Sequence, residues 1–526
     1  MLCKKENHYC SHPFFIAISL LILCFILYGN CLQNAFLMDD YPMLIFNFHI
    51  GEAGFLQLNP QALEQQAYFR PLTHFINFMT FSLFDKEVYK YHLTNLFLFY
   101  LSGLAFYEFL NVLFKKPLLS FLTVILFYAH PINGVLVNYK NATAFSLMIL
   151  AMNLSLMNFV RSKDREAFPW LAILWFVIAL LCHEVVVVFP LYLMLTLLFL
   201  EERPKRIFLL CSPVVGILVV YLIFRLMYTA TIGNITHQIA THSYSVVSYF
   251  ATVSKLLWWY LEKLVIPKDI VLIWGTPVVT SGCWGWVALG VLLWGSGVLM
   301  LRHFRYLREI AFGAGLLLAG FVPVWLASFS RPWFGTIIEP HWVVYSSLGF
   351  FVILSACFLK VAHGFLNKKM LIAIFLCLFV FYSVETWGYN RLWSTQKGYC
   401  EYWARVSPYN YMPKYWLAID FFERKNYKEA GEVFTKLLNS GLHTYDIYQN
   451  LGIIEYYQGN DEKALAYLNK SLEMGAHNAD VYYYLGCVYM RSGESGRAKE
   501  AFHQAFVLDS TLVDSKRRLD LLNQSK

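Results

Sequence analysis

Residues 169–200 form an apolar run of 32 residues that carries charge at one place, Glu184, next to His183. As a single helix this run would reach roughly 48 Å, against a bilayer hydrocarbon core of about 30 Å. Basic clusters flank it on both sides: Arg161, Lys163 and Arg165 before it, Arg203, Lys205 and Arg206 after it. Positive charge favours the cytoplasmic side of a membrane, so both flanks belong on that side. The run therefore crosses and returns, with its turn near Cys182-His183-Glu184. A chain built this way is a polytopic membrane protein, and the rest of the sequence has to fit that frame.

It does. Apolar residues make up 58% of the chain and charged residues 14%, against about 25% charged in an ordinary soluble domain. A purely soluble enzyme and a disordered chain are both excluded. The net charge of +8 does not point to nucleic acid, because the basic residues fall in short loops between apolar runs. Further apolar runs lie near 14–28, 91–112, 117–138, 142–160, 207–227, 284–301, 308–328, 342–361 and 369–388. The first follows Lys4 and Lys5 and has no small-residue cleavage site after it, so it reads as an uncleaved helix. Placing every basic loop inside gives about eleven spans (eleven to thirteen), with the N-terminus in and the C-terminus out. Two stretches, 71–84 and 246–265, then read as helices lying in the interface, the second because Trp258, Trp259 and Tyr260 are mixed with Lys255, Glu262 and Lys263. The 11 cysteines form no Cys-x-x-Cys pair, which argues against a zinc site or a disulfide framework.

Composition changes after Tyr389, and a 34-residue period begins near Tyr411. Ala430, Ala464 and Ala498 share a phase, as do Gly452 and Gly486, Gly459 and Gly493, and Phe434, Leu468 and Phe502. This is the tetratricopeptide pattern of two packed helices per repeat. The expected organisation is a membrane domain over 1–390, with a first outer loop at 29–90, then a linker over 391–410. Three repeats follow over 411–512, and a capping helix or tail over 513–526. The first repeat is degenerate, with Ala418 where the others have glycine. The fold class is all-α: a polytopic helix bundle followed by an α-solenoid. Such stacks expose a concave groove that takes a protein or peptide segment; a structural buttress or oligomer contact is the other reading.

Four constellations fall on the outer side. Asp39-Asp40, after the first run, can act as a general base or hold a divalent cation such as Mg or Mn, or can be a solvated loop start. Arg70, opening Arg70-Pro71-Leu72, can pair bidentately with a phosphate or merely anchor at headgroup level. His130-Pro131 ends a helix and suits a turn as well as a site. His183-Glu184 and Glu339-Pro340-His341 put ionisable groups at membrane depth, where function is the default hypothesis and a satisfied polar turn the alternative.

The ordered set Phe69-Arg70-Pro71-Leu72, Tyr91-His92-Leu93-Thr94-Asn95, His130-Pro131-Ile132, His183-Glu184 and His341-Trp342, ending in repeats, resembles the tetratricopeptide-repeat transmembrane O-mannosyltransferase-like proteins of the GT-C superfamily, including their bacterial relatives. The resemblance implies transfer of a sugar from a polyprenyl-phosphate carrier to a protein or glycan acceptor on the outer or lumenal face. It implies Asp39 or Asp40 as base or metal ligand and Arg70 facing the carrier phosphate. His130, His183, Glu184, Glu339 and His341 would line the substrate site. The chain departs from relatives at Asn133-Gly134-Val135-Leu136 and Tyr139-Lys140-Asn141-Ala142, where a glutamate and an arginine are missing. The alternative is thus a catalytically degenerate, membrane-anchored scaffold whose repeats hold an outer-face protein. In a bacterium the expected location is the inner membrane with periplasmic repeats; in a eukaryote, the endoplasmic reticulum membrane with lumenal repeats.

Overall fold

A computed structural model describes residues 13–38, 40, 70–84, 87–163, 168–228, 245–302, 307–327, 336–364, 367–509 and 512–524. The chain divides into two compact units. One runs to Tyr399 and includes Val406–Asn410; the other comprises Cys400–Arg405 and the residues from Tyr411 onward.

The first unit is mainly helical over its long apolar runs. Among the described residues, six helices are long and apolar enough to cross a membrane: Pro13–Gln33, Val88–Phe114, Lys140–Arg161, Pro204–Arg225, Pro340–Lys360 and Lys369–Leu392. The pair Pro117–Ala129 and Pro131–Asn138, bent by 67°, adds a seventh if it counts as one span. The bend has a local cause. His130 is extended and Pro131 has no N–H to continue the helix, so a 3-10 turn follows. The long run at 169–200 breaks where its one charge lies. Helix Trp170–Cys182 stops at an extended His183, a 3-10 turn runs over Glu184–Val188, and helix Phe189–Phe199 returns. Each limb is shorter than a full span. The stretches at 71–84 and 246–265 are the helices Pro71–Phe84 and Val246–Val265. At 14 residues the first reaches only about 21 Å.

Glycine permits a close helix contact. Helices Arg308–Phe321 and Val344–Gly364 cross where Gly313 meets Gly349, and a Cβ placed on Gly349 would lie 2.4 Å from the Gly313 carbonyl oxygen. Without side chains the two backbones approach directly, as small residues allow between membrane helices. A buried asparagine network ties the first run to the last. Asn34 donates to Asn138 Oδ1 (2.8 Å), Asn138 to Asn390 Oδ1 (2.8 Å), and Asn390 to the Leu27 carbonyl (3.0 Å). A two-stranded antiparallel sheet, Trp274–Thr276 with Thr336–Ile338, leads into Glu339.

The second unit is a stack of helix pairs: Met412–Glu423 with Tyr427–Asn439, Tyr445–Gln458 with Asp461–Glu473, and Ala479–Arg491 with Ser495–Leu508. Helix Val513–Gln524 follows. The in-phase small residues sit where paired helices touch. A Cβ on Gly452 would meet Leu468 Cγ at 2.7 Å, and one on Gly486 would meet Phe502 Cδ1 at 2.8 Å. Ala418, Ala430, Ala464 and Ala498 are fully buried.

Every first helix ends in the same way. Gly459 and Gly493 are left-handed (φ 83° and 77°), and the next amide reaches back five residues, Asn460 to the Glu455 carbonyl and Glu494 to the Tyr489 carbonyl. In the degenerate first repeat Lys425 takes this position at φ 62°, and Asn426 bonds the Phe421 carbonyl. These are the double backbone bonds of a Schellman termination, which normally calls for glycine.

Candidate functional site

The polar residues singled out in the first unit come from different elements, and most of them meet. Glu184 is their hub. Its position follows from His183, which stops the preceding helix and accepts the Val185 amide on Nδ1 (3.2 Å), capping the 3-10 turn that Glu184 begins. Arg70 reaches Glu184 with both arms of its guanidinium: Nε to Oε2 at 2.9 Å and Nη2 to Oε1 at 2.7 Å. Arg70 is placed by the helix that starts at Pro71, since the His74 amide bonds its carbonyl and Thr73 donates to the Cys182 carbonyl. A second arginine, Arg225, lies 3.8 Å from Glu184 Oε2. The Arg70 and Glu184 side chains are 22% and 25% exposed and that of Arg225 is 6%, so the pair sits at the rim of the buried region.

Phe145 links this ion pair to the second histidine. Its ring lies 4.1 Å from that of His183 and 4.5 Å, edge-on, from that of His341. His341 Nε2 lies 2.9 Å from Glu339 Oε2. Tyr139 packs 6.2 Å from His341 and its hydroxyl accepts from Asn141. The Asn141 amide in turn donates to Asp40 Oδ1 (3.2 Å), while the Leu37 amide meets Oδ2 at 3.5 Å. Arg70, His183, Glu184, Glu339, His341 and Asp40 are thus joined residue by residue. Asp39 lies outside the described residues.

Two features differ from the sequence expectation. His130, expected to line a substrate site, is fully buried, with both ring nitrogens committed to backbone. Nδ1 accepts the Ile132 amide (3.2 Å), and Nε2 faces the Leu264 carbonyl (3.1 Å). It caps a 3-10 turn as His183 does, and neither nitrogen remains for a ligand. Arg70, expected to face a carrier phosphate, is engaged by Glu184. The Glu184 carboxylate occupies the Nε–Nη2 edge of the guanidinium, so on that edge a phosphate competes with Glu184, whereas Nη1 takes no part in the pair.

Two cations were not selected from sequence. Lys140, 5% exposed, donates to Asn77 Oδ1 and lies 5.6 Å from the Tyr91 ring, with Asp40 the carboxylate acting on it. Arg225 had a signal, being an ionisable residue inside an apolar helix. Lys140 had none, because its partners come from segments far apart in the chain.

As for a divalent cation, no group of three or more His, Cys, Asp or Glu that could hold one occurs among the described residues. The oxygens of Asp40 are engaged by backbone amides. The expected pair Asp39–Asp40 lies partly outside the described residues, since Asp39 is not among them.

The second unit offers a different kind of surface. Aromatic rings from successive repeats touch in a continuous row. Tyr427 stacks on Tyr457 (4.7 Å, 1° between planes), Tyr457 meets Tyr484 (5.9 Å), and the hydroxyls of Tyr457 and Tyr484 share a 2.9 Å hydrogen bond. Tyr456 and Tyr483 also pack against Tyr484, and Arg491 covers Tyr456 at 4.1 Å. Tyr457 is 46% exposed and Met490 39%.

No family model matches this chain, and no curated protein matches it. Among solved structures, the chain is similar to YrrB, described as a TPR protein with an unusual peptide-binding site. That match has 18% identity and a TM-score of 0.22, covering 24% of this chain and 65% of YrrB, under two-thirds of its length. The APC/C hetero-tetramer Cut9–Hcn1 matches at 12% identity with a TM-score of 0.25, covering 89% of this chain and 98% of that one. At these scores neither likeness bears on what the chain binds, and the repeat architecture rests on the 34-residue period and the helix pairs that follow it.

Proposed function

We propose that this protein is a membrane-anchored scaffold whose tetratricopeptide repeats hold a protein or peptide segment of a partner on the outer face of the membrane. The observation that carries this reading is the aromatic row over Tyr427, Tyr457 and Tyr484, partly open to solvent and continuous from one repeat to the next. Tyrosines supply large contact area at small entropic cost and dominate binding energy where they anchor a partner. Their amphipathic rings suit an extended peptide carrying apolar or proline residues. The membrane reading is supported by the six long apolar helices, and the outer placement of the repeats by the distribution of basic loops. In a bacterium that places the repeats in the periplasm.

The test is selection of peptides from a random library on the full-length protein, followed by affinity measurement with Tyr457→Ala and Tyr484→Ala. Loss of an anchor worth about 2 kcal/mol weakens binding roughly 30-fold. Unchanged affinity in both variants removes the row from the binding surface. Protease applied from the outer face should cleave the repeats, and protection from that side overturns the orientation.

A second reading, transfer of a sugar from a polyprenyl-phosphate carrier, draws on one specific observation: Asp40, Arg70, Glu184, Glu339 and His341 belong to one connected cluster although they are far apart in sequence. The engaged edge of Arg70 weighs against it. Incubating the purified protein with a panel of polyprenyl-phosphate sugars and a mixed acceptor pool decides. Turnover that is lost in Asp40→Asn supports transfer, and absence of turnover with every donor leaves the scaffold reading.

A further inference from the structure

Arg518 stands half-buried on the last helix, Val513–Gln524. Its guanidinium lies over two rings, 5.6 Å from the centre of Tyr483 and 5.9 Å from that of Phe502. Nε donates to the Tyr483 hydroxyl at 3.2 Å, and Nη1 lies 3.9 Å from the Met490 sulfur, a weak acceptor. Among the described residues no carboxylate pairs with this arginine, and no oxygen accepts from Nη1 or Nη2. Arg424, Arg491 and Arg497 differ from it, since they meet Asp420, Asp461 and Glu494. The rings therefore hold the Arg518 guanidinium in place and leave its terminal nitrogens uncommitted to any anion.

The rings beneath Arg518 continue the tyrosine row. Tyr483 packs 5.2 Å from Tyr484, Tyr484 packs 5.5 Å from Tyr456, and Arg491 covers Tyr456 at 4.1 Å. Each ring neighbour of Tyr484 on this path thus carries an arginine. Arg491 is already engaged, by Asp461 at 3.4 Å and by the Tyr456 carbonyl at 3.0 Å. Asp480 stands one turn before Tyr484 on the same helix, so the cationic side of these rings is the side toward Arg491 and Arg518. A guanidinium fixed by stacking on aromatic faces, with its Nη1–Nη2 edge short of oxygen acceptors, matches the two oxygens of a carboxylate.

We propose that Arg518 receives a carboxylate of the peptide segment that the tyrosine row holds, so that the partner's segment is anionic where it meets the last repeat. The carboxylate is that of an Asp or Glu side chain or that of a chain's C-terminus. This inference rests on the reading of the tyrosine row as a peptide-binding surface and adds the chemical class of the segment.

The experiment uses the full-length protein in lipid nanodiscs and three random peptide libraries. One contains Asp and Glu and has an amidated C-terminus. The second has Asn and Gln in their place, also amidated, and the third has Asn and Gln with a free C-terminus. Affinities of the retained peptides are measured for the wild type, Arg518→Gln, Arg518→Lys and Tyr484→Ala. Peptides with a carboxylate should bind the wild type about tenfold more tightly than their amide counterparts and lose that advantage in Arg518→Gln. Arg518→Lys should restore it only in part, since lysine keeps the charge and not the fork. The library that shows the advantage identifies the source of the carboxylate. Amidated Asn and Gln peptides should bind both Arg518 variants as they bind the wild type, which shows that the variants are folded. Equal affinity with and without a carboxylate, or an advantage unchanged in Arg518→Gln, overturns the proposal and leaves the tyrosine row standing. An advantage that depends on Arg518 but survives Tyr484→Ala supports the carboxylate site and counts against the row. Binding from none of the libraries overturns both. If Arg518→Gln does not fold, salt decides with the wild type alone: the carboxylate advantage has to shrink at high salt, and an advantage insensitive to salt overturns the proposal.

Discussion

Lys425 gives the sharpest test of the repeat architecture. It stands 34 residues before Gly459, and in the structure it takes the same left-handed conformation, at φ 62°. An L-residue with a Cβ pays roughly 1–2 kcal/mol there relative to the right-handed region. Its side chain is exposed, and the amide bonds to the Phe422 and Phe421 carbonyls come from the backbone of Lys425 and Asn426. Lys425→Gly therefore removes strain without removing a contact. Glycine also loses about 0.5–1 kcal/mol more conformational entropy on folding. The net is a gain of about 1 kcal/mol in the first repeat. Unfolding of a chain with two units does not give one well-defined midpoint, so the measurement is native-state amide exchange of peptides from 411–444 in the full-length protein. Exchange there should slow by about fivefold. The reciprocal change, Gly459→Lys, should speed exchange in the second repeat by at least as much. No change in either variant refutes the claim that this turn is strained in the first repeat and relaxed in the second.

Gly349→Ala should destabilise the first unit by about 1–3 kcal/mol, because the new Cβ lies 2.4 Å from the Gly313 carbonyl oxygen and 2.6 Å from the Leu317 amide, both backbone atoms. Gly388→Ala, with nothing within 4 Å of its Cβ, is the control and should be neutral or stabilising; equal melting behaviour of the two variants sinks the packing argument. Asn390→Leu removes one of the two acceptors of the Asn138 side-chain amide and the donor to the Leu27 carbonyl, and should cost about 1–3 kcal/mol, seen as faster exchange in Pro13–Tyr28. For the ion pair, a double-mutant cycle on Arg70→Ala and Glu184→Ala should give a coupling of about 1–3 kcal/mol; a value near zero means the bidentate geometry contributes nothing to stability.

Much of the architecture was legible from the chain because it depends on local periodicity. Polar breaks at His130-Pro131 and His183-Glu184 mark where helices stop, since an imidazole can cap a turn and proline cannot continue a helix. The 34-residue phase of Ala430, Ala464 and Ala498 fixes where paired helices touch, because only small side chains fit there. The first repeat's lysine in a glycine position was not legible: sequence shows the substitution but not that the backbone keeps the left-handed turn.

The candidate site divides along the same line. Sequence alone picked out Asp40, Arg70, His183, Glu184, Glu339 and His341 as ionisable groups at the ends of apolar runs. It could not say that Arg70 turns one edge of its guanidinium to Glu184, that Phe145 packs against both imidazoles, or that Lys140 and Arg225 join the cluster. Those outcomes depend on which segments pack side by side. His130 and His183 share the same local signal, a histidine closing a helix before a 3-10 turn, and both cap through Nδ1. Tertiary packing separates them: the Leu264 carbonyl meets Nε2 of His130, whereas no described protein group meets Nε2 of His183. Local sequence determines the capping nitrogen of each ring, and only the long-range approach of another element decides whether the other nitrogen is used.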